Sequence, residues 1–453
     1  MTVTRRHFLS GALGSAALLG LGACSSVHSG SDDTASAAAK PKSGSNGAKA
    51  TLGKVSGTLT FAFWGGSTGE TAGFTYAKQK FEAANPGATI KLKIAPYDSF
   101  FSGIDRGIQS GNAPDIFRVD YTTIGKYSKA GALLDVSPYF SDAEIAEFLP
   151  ALWKAITYDG TPYGIPHQTD TTCVVYSKKA FADAGITSVP DSLQSAWTWD
   201  EFSAVCTKLR SSLPANKFPF AYDWTQAGAF RWLSWLYQAG GTLLSPDLGK
   251  CALPSSAGTK ALDFTKSFFD KKWVPANNTI KTSVYSDNFF LNQTVPMTFV
   301  GDFLVPELAA PKTGYKGGDW GATYMPRDTG AASDLGGNAI VALKTTKNPD
   351  LAGAFLRFLA SEEIMKYFCE QAVELPTLKS LADSSLQYAY RPDVVKVCAE
   401  QATTITDTVV KESTISSFAT INTVLQDQLE QAFHGQSTAA TLGGIATKVD
   451  QAL

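Results

Sequence analysis

The hydrophobic pattern changes period several times in the first part of the chain. "GTLTFAFW" (Gly57 to Trp64) is a continuous apolar run of strand length, which predicts a strand buried on both faces. From Glu70 to Ala84 the apolar residues Phe74, Ala77 and Phe81 fall on one helical stripe, which stops at Asn85-Pro86-Gly87. "TIKLKIA" (Thr89 to Ala95) alternates as a strand does. Ser99 to Gln109 returns to helical spacing through Phe100, Ile104 and Ile108. A further apolar strand, Asp115 to Val119, opens after Gly111, Asn112 and Pro114. The order β-α-β-α-β predicts parallel strands joined by right-handed crossovers.

In such sheets ligands bind beyond the carboxyl ends of the strands. The three tips are Trp64-Gly65-Gly66-Ser67, Pro96-Tyr97-Asp98 and Asp120-Tyr121-Thr122. Each offers an aromatic ring together with a hydroxyl or carboxylate, and three such tips side by side predict the lining of a cleft.

Farther on, the Pro/Gly-rich approach "GTPYGIPHQTDTTCVVYS" (Gly160 to Ser177) passes through polar Gln168-Thr169-Asp170 into another buried strand. The break from Gly164 to Asp170 reads as a domain boundary. "WTWDEF" supplies a capping box, with Thr198 as N-cap and Glu201 at the third helical position. "QTVPMTFVGDF" (Gln293 to Phe303) and "GGNAIVAL" (Gly336 to Leu343) are further strands, and most of the remainder is helical, without internal repeat.

The N-terminus changes the setting. Arg5-Arg6 precedes an apolar stretch, Gly11 to Ala23, too short to span a bilayer comfortably, and "LGAC" ends at Cys24. A charged start, a short apolar region and small residues at the exit define an export signal; the paired arginines resemble a twin-arginine signal over residues 1–23. "LGAC" resembles a bacterial lipobox, which implies a lipidated Cys24 at the start of the mature chain. Residues 24–56 are rich in Ser, Gly and Ala and poor in large apolar residues, and are expected to form a disordered tether spanning roughly 30 Å.

Loss of residues 1–23 removes Arg5 and Arg6 and no acid, leaving 37 basic against 41 acidic residues, a net charge of −4. Nothing in that balance favours nucleic acid. Besides Cys24 there are Cys173, Cys206, Cys251, Cys369 and Cys398, without CxxC spacing, and the chain has four histidines. A metal site is therefore not expected, nor a cofactor. One or two disulfides are allowed outside the cell with their pairing open, and Cys173 within "TTCVVY" reads as a small buried hydrophobe.

The chain resembles the extracellular solute-binding proteins of sugar ABC transporters, the group that includes maltose-binding protein. The resemblance rests on "FEAANPGATIKL", "SGNAPDIFRVD", "KYSKAGALLDVSPY", "YGIPHQTDTTCVVYSKKAFADAGI", "WTWDEF", "PMTFVGDF", "LGGNAIVALKTTKNPDLAGAFLRFLASEE" and "AVELPT", in the family's order from Gly57 to Leu453. It implies an α/β, two-lobed periplasmic-binding-protein fold with hinge strands and a central cleft. Mapped onto this chain, lobe one is 57–167 and 298–341, and lobe two is 168–297 and 342–453.

The implied function is capture of a mono- or oligosaccharide outside the cell and delivery to an ABC transporter permease. The implied form is a monomer, lipid-anchored to the outer face of the cytoplasmic membrane. Carboxylates accept paired sugar hydroxyls, and aromatic faces cover the C–H faces of a pyranose. The expected binding residues are Trp64, Gly66, Ser67, Tyr97, Asp120, Tyr121, Asp170, Trp224, Asp302, Gly337, Asn338 and Glu374. After the glycine of "PMTFVGDF" the family commonly carries Pro-Trp, where this chain has Asp302-Phe303. That departure points away from a maltodextrin and toward a solute with extra donors, such as an amino sugar or a densely hydroxylated monosaccharide unit.

Three other readings fare worse. A surface carbohydrate hydrolase would need a carboxylate pair among Asp120, Asp170, Asp302 and Glu374, none with recognisable acid/nucleophile surroundings. A nucleotide site at "WGGSTG" lacks the first glycine of the fingerprint, because Trp64 stands there. A purely structural lipoprotein would have no use for three aromatic-acid strand tips.

Overall fold

The computed structural model describes residues 54–225, 228–310, 315–316, 318–382 and 386–453. The export signal, Cys24 and nearly all of the expected tether lie outside them. The strands are β1 (Gly57–Trp64), β2 (Ala88–Ala95), β3 (Ile116–Asp120), β4 (Thr157–Tyr158), β5 (Thr161–Pro162), β6 (Ile165–Gln168), β7 (Thr172–Ser177), β8 (Phe220–Ala221), β9 (Met297–Gly301), β10 (Trp320–Thr323) and β11 (Asn338–Ala342).

One sheet runs β2-β1-β3-β11-β6, with β1 parallel to both β2 and β3, and β11 antiparallel to its neighbours. The inner strand β1 is almost wholly apolar because both its faces are covered, whereas the edge strand β2 alternates and leaves Ile94 exposed. Leu59, Phe61 and Phe63 of β1 pack with Phe74 and Phe81 of the helix Thr68–Ala84 on one face. Ala62 and Trp64 pack with Phe100 and Ile104 of the helix Tyr97–Ser110 on the other. The first helix starts before Glu70 because Ser67 caps it: the Ser67 hydroxyl accepts from the Glu70 amide and Glu70 accepts from the Ser67 amide.

The second sheet runs β10-β7-β9-β8. Val174 of β7, Phe220 of β8 and Met297 and Phe299 of β9 face a core built with the C-terminal helices Phe418–Phe433 and Thr438–Ala452. The expected lobe boundaries need correction here. The segment from β9 to β10 belongs to lobe two, since β9 pairs with β7 over its whole length and with β8 at Met297 and Thr298. The helices Pro349–Leu359 and Glu362–Ala372 belong to lobe one, because Leu351, Phe355, Leu356, Ile364, Met365 and Phe368 share the core of β1 and the first helix. Lobe one is thus about 57–168 with 338–372, lobe two is about 172–334 with 386–453, and the stretch after Ala372 is the third crossing.

Three short segments connect the lobes. The first, Thr169 to Thr171, exchanges two backbone hydrogen bonds with Leu375 of the third, 2.9 and 3.1 Å. The second passes through Gly336-Gly337, where Gly336 donates to the Asp170 carbonyl and the Thr169 hydroxyl donates to the Gly336 carbonyl. Side chains have no room at this junction. A Cβ on Gly336 would lie 2.0 Å from the Asp170 carboxylate, and Gly337 has φ +100° with the Gln168 carbonyl 2.6 Å from its would-be Cβ.

The five described cysteines are all buried. Among the described residues no helix is long and apolar enough to cross a membrane, and no cluster of His, Cys, Asp and Glu has the geometry of a metal site.

Candidate functional site

A cleft of about 760 Å³ lies where the lobes meet, bordered by the first strand tip, β3, the three connections and lobe-two residues around Arg231, Tyr285 and Phe303. Each lobe offers it an arginine lying against aromatic rings. From lobe one, the Arg118 guanidinium sits 4.5 Å from the Trp64 ring centre, and Tyr97 meets Trp64 edge-on at 5.1 Å. From lobe two, Arg231 sits 4.7 Å from Phe230 and 5.7 Å from Phe303.

Both arginines are nearly inaccessible to solvent and are held by carboxylates. Arg118 pairs closely with Glu70 and lies 3.9 Å from Glu374. Arg231 lies 3.8 Å from Asp223 and 3.7 Å from Asp334, and no hydrogen bond engages its Nε. The rings are fixed against charges whose desolvation is offset by ion pairs, a rigid platform for a planar or cyclic solute.

Asp120 is at the centre of the lobe-one wall. It ends β3 and precedes the helix Tyr121–Lys129, yet makes no capping bond to that helix. Its carboxylate accepts the Tyr97 hydroxyl at 2.6 Å and the Asn338 amide at 2.7 Å, and Asn338 in turn accepts from Gln168 at 2.6 Å. Burial raises the Asp120 carboxyl to about 6 against the opposing effect of Tyr97, Arg118, Arg231 and Asn338.

Asp170, on the first connection, is raised to about 7, by burial above all and then by Asp334 and Asp120, with Arg231 and Arg118 opposing. Its Oδ1 has no hydrogen-bond partner. Burial pushes Glu374, on the third connection, well up, and its Oε2 is likewise unpartnered. These two carboxyls border the cleft with acceptor capacity unspent, which suits solute hydroxyls.

Of the residues expected from the sequence, Trp64, Gly66, Tyr97, Asp120, Asp170, Gly337, Asn338 and Glu374 border this cleft. Four others do not. Ser67 spends its hydroxyl on the helix cap. Tyr121 is fully buried below β3, its hydroxyl donating to the Gln168 carbonyl at 3.1 Å. Trp224 stacks on Tyr222 at 4.1 Å inside the lobe-two core.

Asp302 is also fully buried. It accepts the Thr171 amide at 2.9 Å, and burial beside Asp170 raises its carboxyl well above the usual range. Phe303, not Asp302, reaches the cleft at that corner, so the position supplies an aromatic after all and the argument for an amino sugar lapses. Sequence reasoning missed Glu70, Arg118, Gln168, Phe230, Arg231, Tyr285 and Phe303. A lone arginine inside the otherwise apolar "IFRVD" and another leading "RWLSW" were the readable signals.

Known proteins resemble this chain in family and in fold. The family model of the bacterial extracellular solute-binding proteins matches residues 65–366. The maltodextrin-binding protein MdxE of Bacillus subtilis (strain 168) is 24% identical over 309 residues, 66% of this chain and 69% of that one. Two solved structures are similar in fold. The ABC substrate-binding protein Lmo0181 from Listeria monocytogenes, in complex with cycloalternan, is 19% identical with a TM-score of 0.74, covering 87% of this chain and 98% of its own. A solute-binding protein from Thermotoga lettingae, bound with α-D-tagatose, is 22% identical with a TM-score of 0.72, covering 88% of this chain and 100% of its own. Such proteins bind solutes and are not enzymes as a family. The two-lobed α/β chain described here belongs to the bacterial extracellular solute-binding proteins.

Proposed function

We propose that the protein captures a carbohydrate outside the cell by closing its lobes around it, and delivers it unchanged to the permease of an ABC transporter. One observation carries the reading: aromatic faces from both lobes flank a cleft that also holds under-used carboxylate oxygens, a pairing that matches the C–H faces and hydroxyls of a sugar. Relatives that bind a maltodextrin, cycloalternan or tagatose support it. The substrate-binding residues in this reading are Trp64, Tyr97, Asp120, Asp170, Asn338 and Glu374, with Arg231 and Phe303 answering from lobe two. Lipid anchoring through Cys24 and action as a monomer belong to the same proposal.

Calorimetric titration of residues 54–453 with a panel of mono- and oligosaccharides tests it, together with small-angle scattering at saturation. Micromolar or tighter binding of at least one sugar, unaltered after incubation, with a smaller radius of gyration is expected, because contacts from both lobes stabilise the closed state. No sugar binding across the panel, or a cleaved product, defeats the reading.

A further inference from the structure

Cys173 and Cys398 are both fully buried, and their sulfur atoms lie 2.9 Å apart. That is closer than the roughly 3.5–4.0 Å at which non-bonded carbon atoms rest. The partners are distant in sequence, separated by 225 positions. Cys173 is the second residue of β7, just past the first connection between the lobes; Cys398 lies in the helix Pro392–Ala402, beyond the third. Their common surroundings are apolar: Val175, Val300, Val394 and Val395 pack with them, as do Val373 and Leu375 of the third connection. The other described cysteines, Cys206, Cys251 and Cys369, have no such sulfur neighbour among the described residues.

We propose that Cys173 and Cys398 are joined by a disulfide in the mature, exported protein. The family is extracellular, and oxidising surroundings are where such bonds persist. The step is a thiol–disulfide exchange with an external disulfide oxidoreductase. One cysteine thiolate attacks the donor's disulfide, forming a mixed disulfide and releasing one donor thiol. The second cysteine thiolate then attacks the mixed disulfide at the first cysteine's sulfur and releases the other. The protein loses two protons and two electrons, and the donor disulfide becomes a dithiol.

Timing follows from burial. The Cys398 thiol, once packed, is held well above its ordinary pKa by its bond to Cys173 and by burial, so the reactive thiolate is scarce in the finished core. The bond therefore forms as β7 and the helix come together, and afterwards no reductant reaches it. The consequence is mechanical. The strand that enters lobe two from the first connection is tied to the helix that follows the third, next to Asp302, so the lobe-two base of the hinge moves as one piece.

Alkylation tests this without mutation. Protein recovered from the cell exterior is unfolded in guanidinium with a maleimide and no reductant, then digested for mass spectrometry. Cys206, Cys251 and Cys369 are expected to be labelled, while Cys173 and Cys398 stay unlabelled and appear as one cross-linked peptide. Labelling of both in most molecules overturns the proposal. As a second readout, a disulfide closing so long a loop limits the unfolded chain. The melting midpoint of protein unfolded and refolded with reductant is expected a few degrees below that of protein refolded with oxidised glutathione. The Cys173→Ala/Cys398→Ala variant should show no such difference. Equal midpoints for the wild-type protein under both conditions also overturn it.

Discussion

The Tyr97 hydroxyl donates to Asp120 Oδ2 at 2.6 Å while the Asn338 amide donates to Oδ1 at 2.7 Å, so one carboxylate joins the helix after β2, the end of β3 and the start of β11. Both donors orient Asp120 and leave each oxygen a further lone pair for a solute hydroxyl.

Asp120→Asn keeps the shape but removes the charge, and its amide nitrogen then faces either the Asn338 amide, losing that bond, or the Tyr97 hydroxyl, reversing that one. Sugar affinity is expected to fall about ten- to a hundredfold, the equivalent of a charge-assisted bond of about 1.5–3 kcal/mol. Tyr97→Phe removes only an orienting bond and should cost less than tenfold. Calorimetry checks both. Unchanged affinity in Asp120→Asn, with a lower melting temperature, would show that Asp120 serves only the fold.

Arg118 allows a prediction about which acid beside it is charged. Glu70 pairs closely with it and also receives the Ser67 amide at 2.8 Å; Glu374 stands off at 3.9 Å with its carboxyl pushed well up by burial and by Asp302. Arg118→Met strands a buried carboxylate and is expected to destabilise the protein by about 3–5 kcal/mol. Glu374→Gln replaces a carboxyl that burial pushes toward its neutral form by a neutral amide, and should change stability by less than about 1 kcal/mol. Urea unfolding of both variants is the measurement; a large loss in Glu374→Gln would show that Glu374 is ionised and paired.

Asp170 makes the ligand-free protein sensitive to pH. Its carboxyl is raised to about 7 in the folded chain, whereas the unfolded chain releases that proton near 4. The folded state therefore holds a proton that the unfolded state has lost, and the stability this provides is full below about pH 4 and disappears as pH rises to about 7. Groups facing Asp170 are Asp334, Asp120, Arg231 and Arg118, which set the position of that window. Relative to Asp170→Asn, the wild-type melting temperature should decline between pH 4 and 7. Affinity for a neutral sugar should move the other way, improving as the carboxylate ionises. Parallel melting curves for the two proteins across that range would exclude Asp170 as the titrating group.

What the sequence disclosed was mainly local. β1, β2 and β3 follow from an apolar run, an alternation and a punctuated start, and Thr198 with Glu201 announces its own cap. Sheet membership is not local. β9 reads as an apolar strand in any setting, but its pairing with β7, more than a hundred residues earlier, decides its lobe. Side-chain direction was equally hidden at Trp224, which sits in a polar stretch and yet turns inward onto Tyr222. Arg118 was overlooked because a cation inside an apolar strand makes sense only once Trp64, Glu70 and Glu374 are seen to converge on it.

Asp302 separates a role in the hinge from a role in binding. It follows β9, is closed to solvent and takes the Thr171 amide on Oδ1 while Oδ2 has no partner. Burial and the neighbouring Asp170 push its carboxyl well above the ordinary carboxylate range. Asp302→Ala leaves the Thr171 amide buried without an acceptor, which costs about 1–3 kcal/mol, so the melting temperature should drop while sugar affinity stays within about threefold. Asp302→Asn keeps a neutral group of the same shape with its oxygen on Thr171 and is expected to be close to wild type in both respects. A hundredfold loss of affinity in Asp302→Asn, with stability intact, would return Asp302 to the binding site and show that the lobes rearrange to expose it when the solute enters.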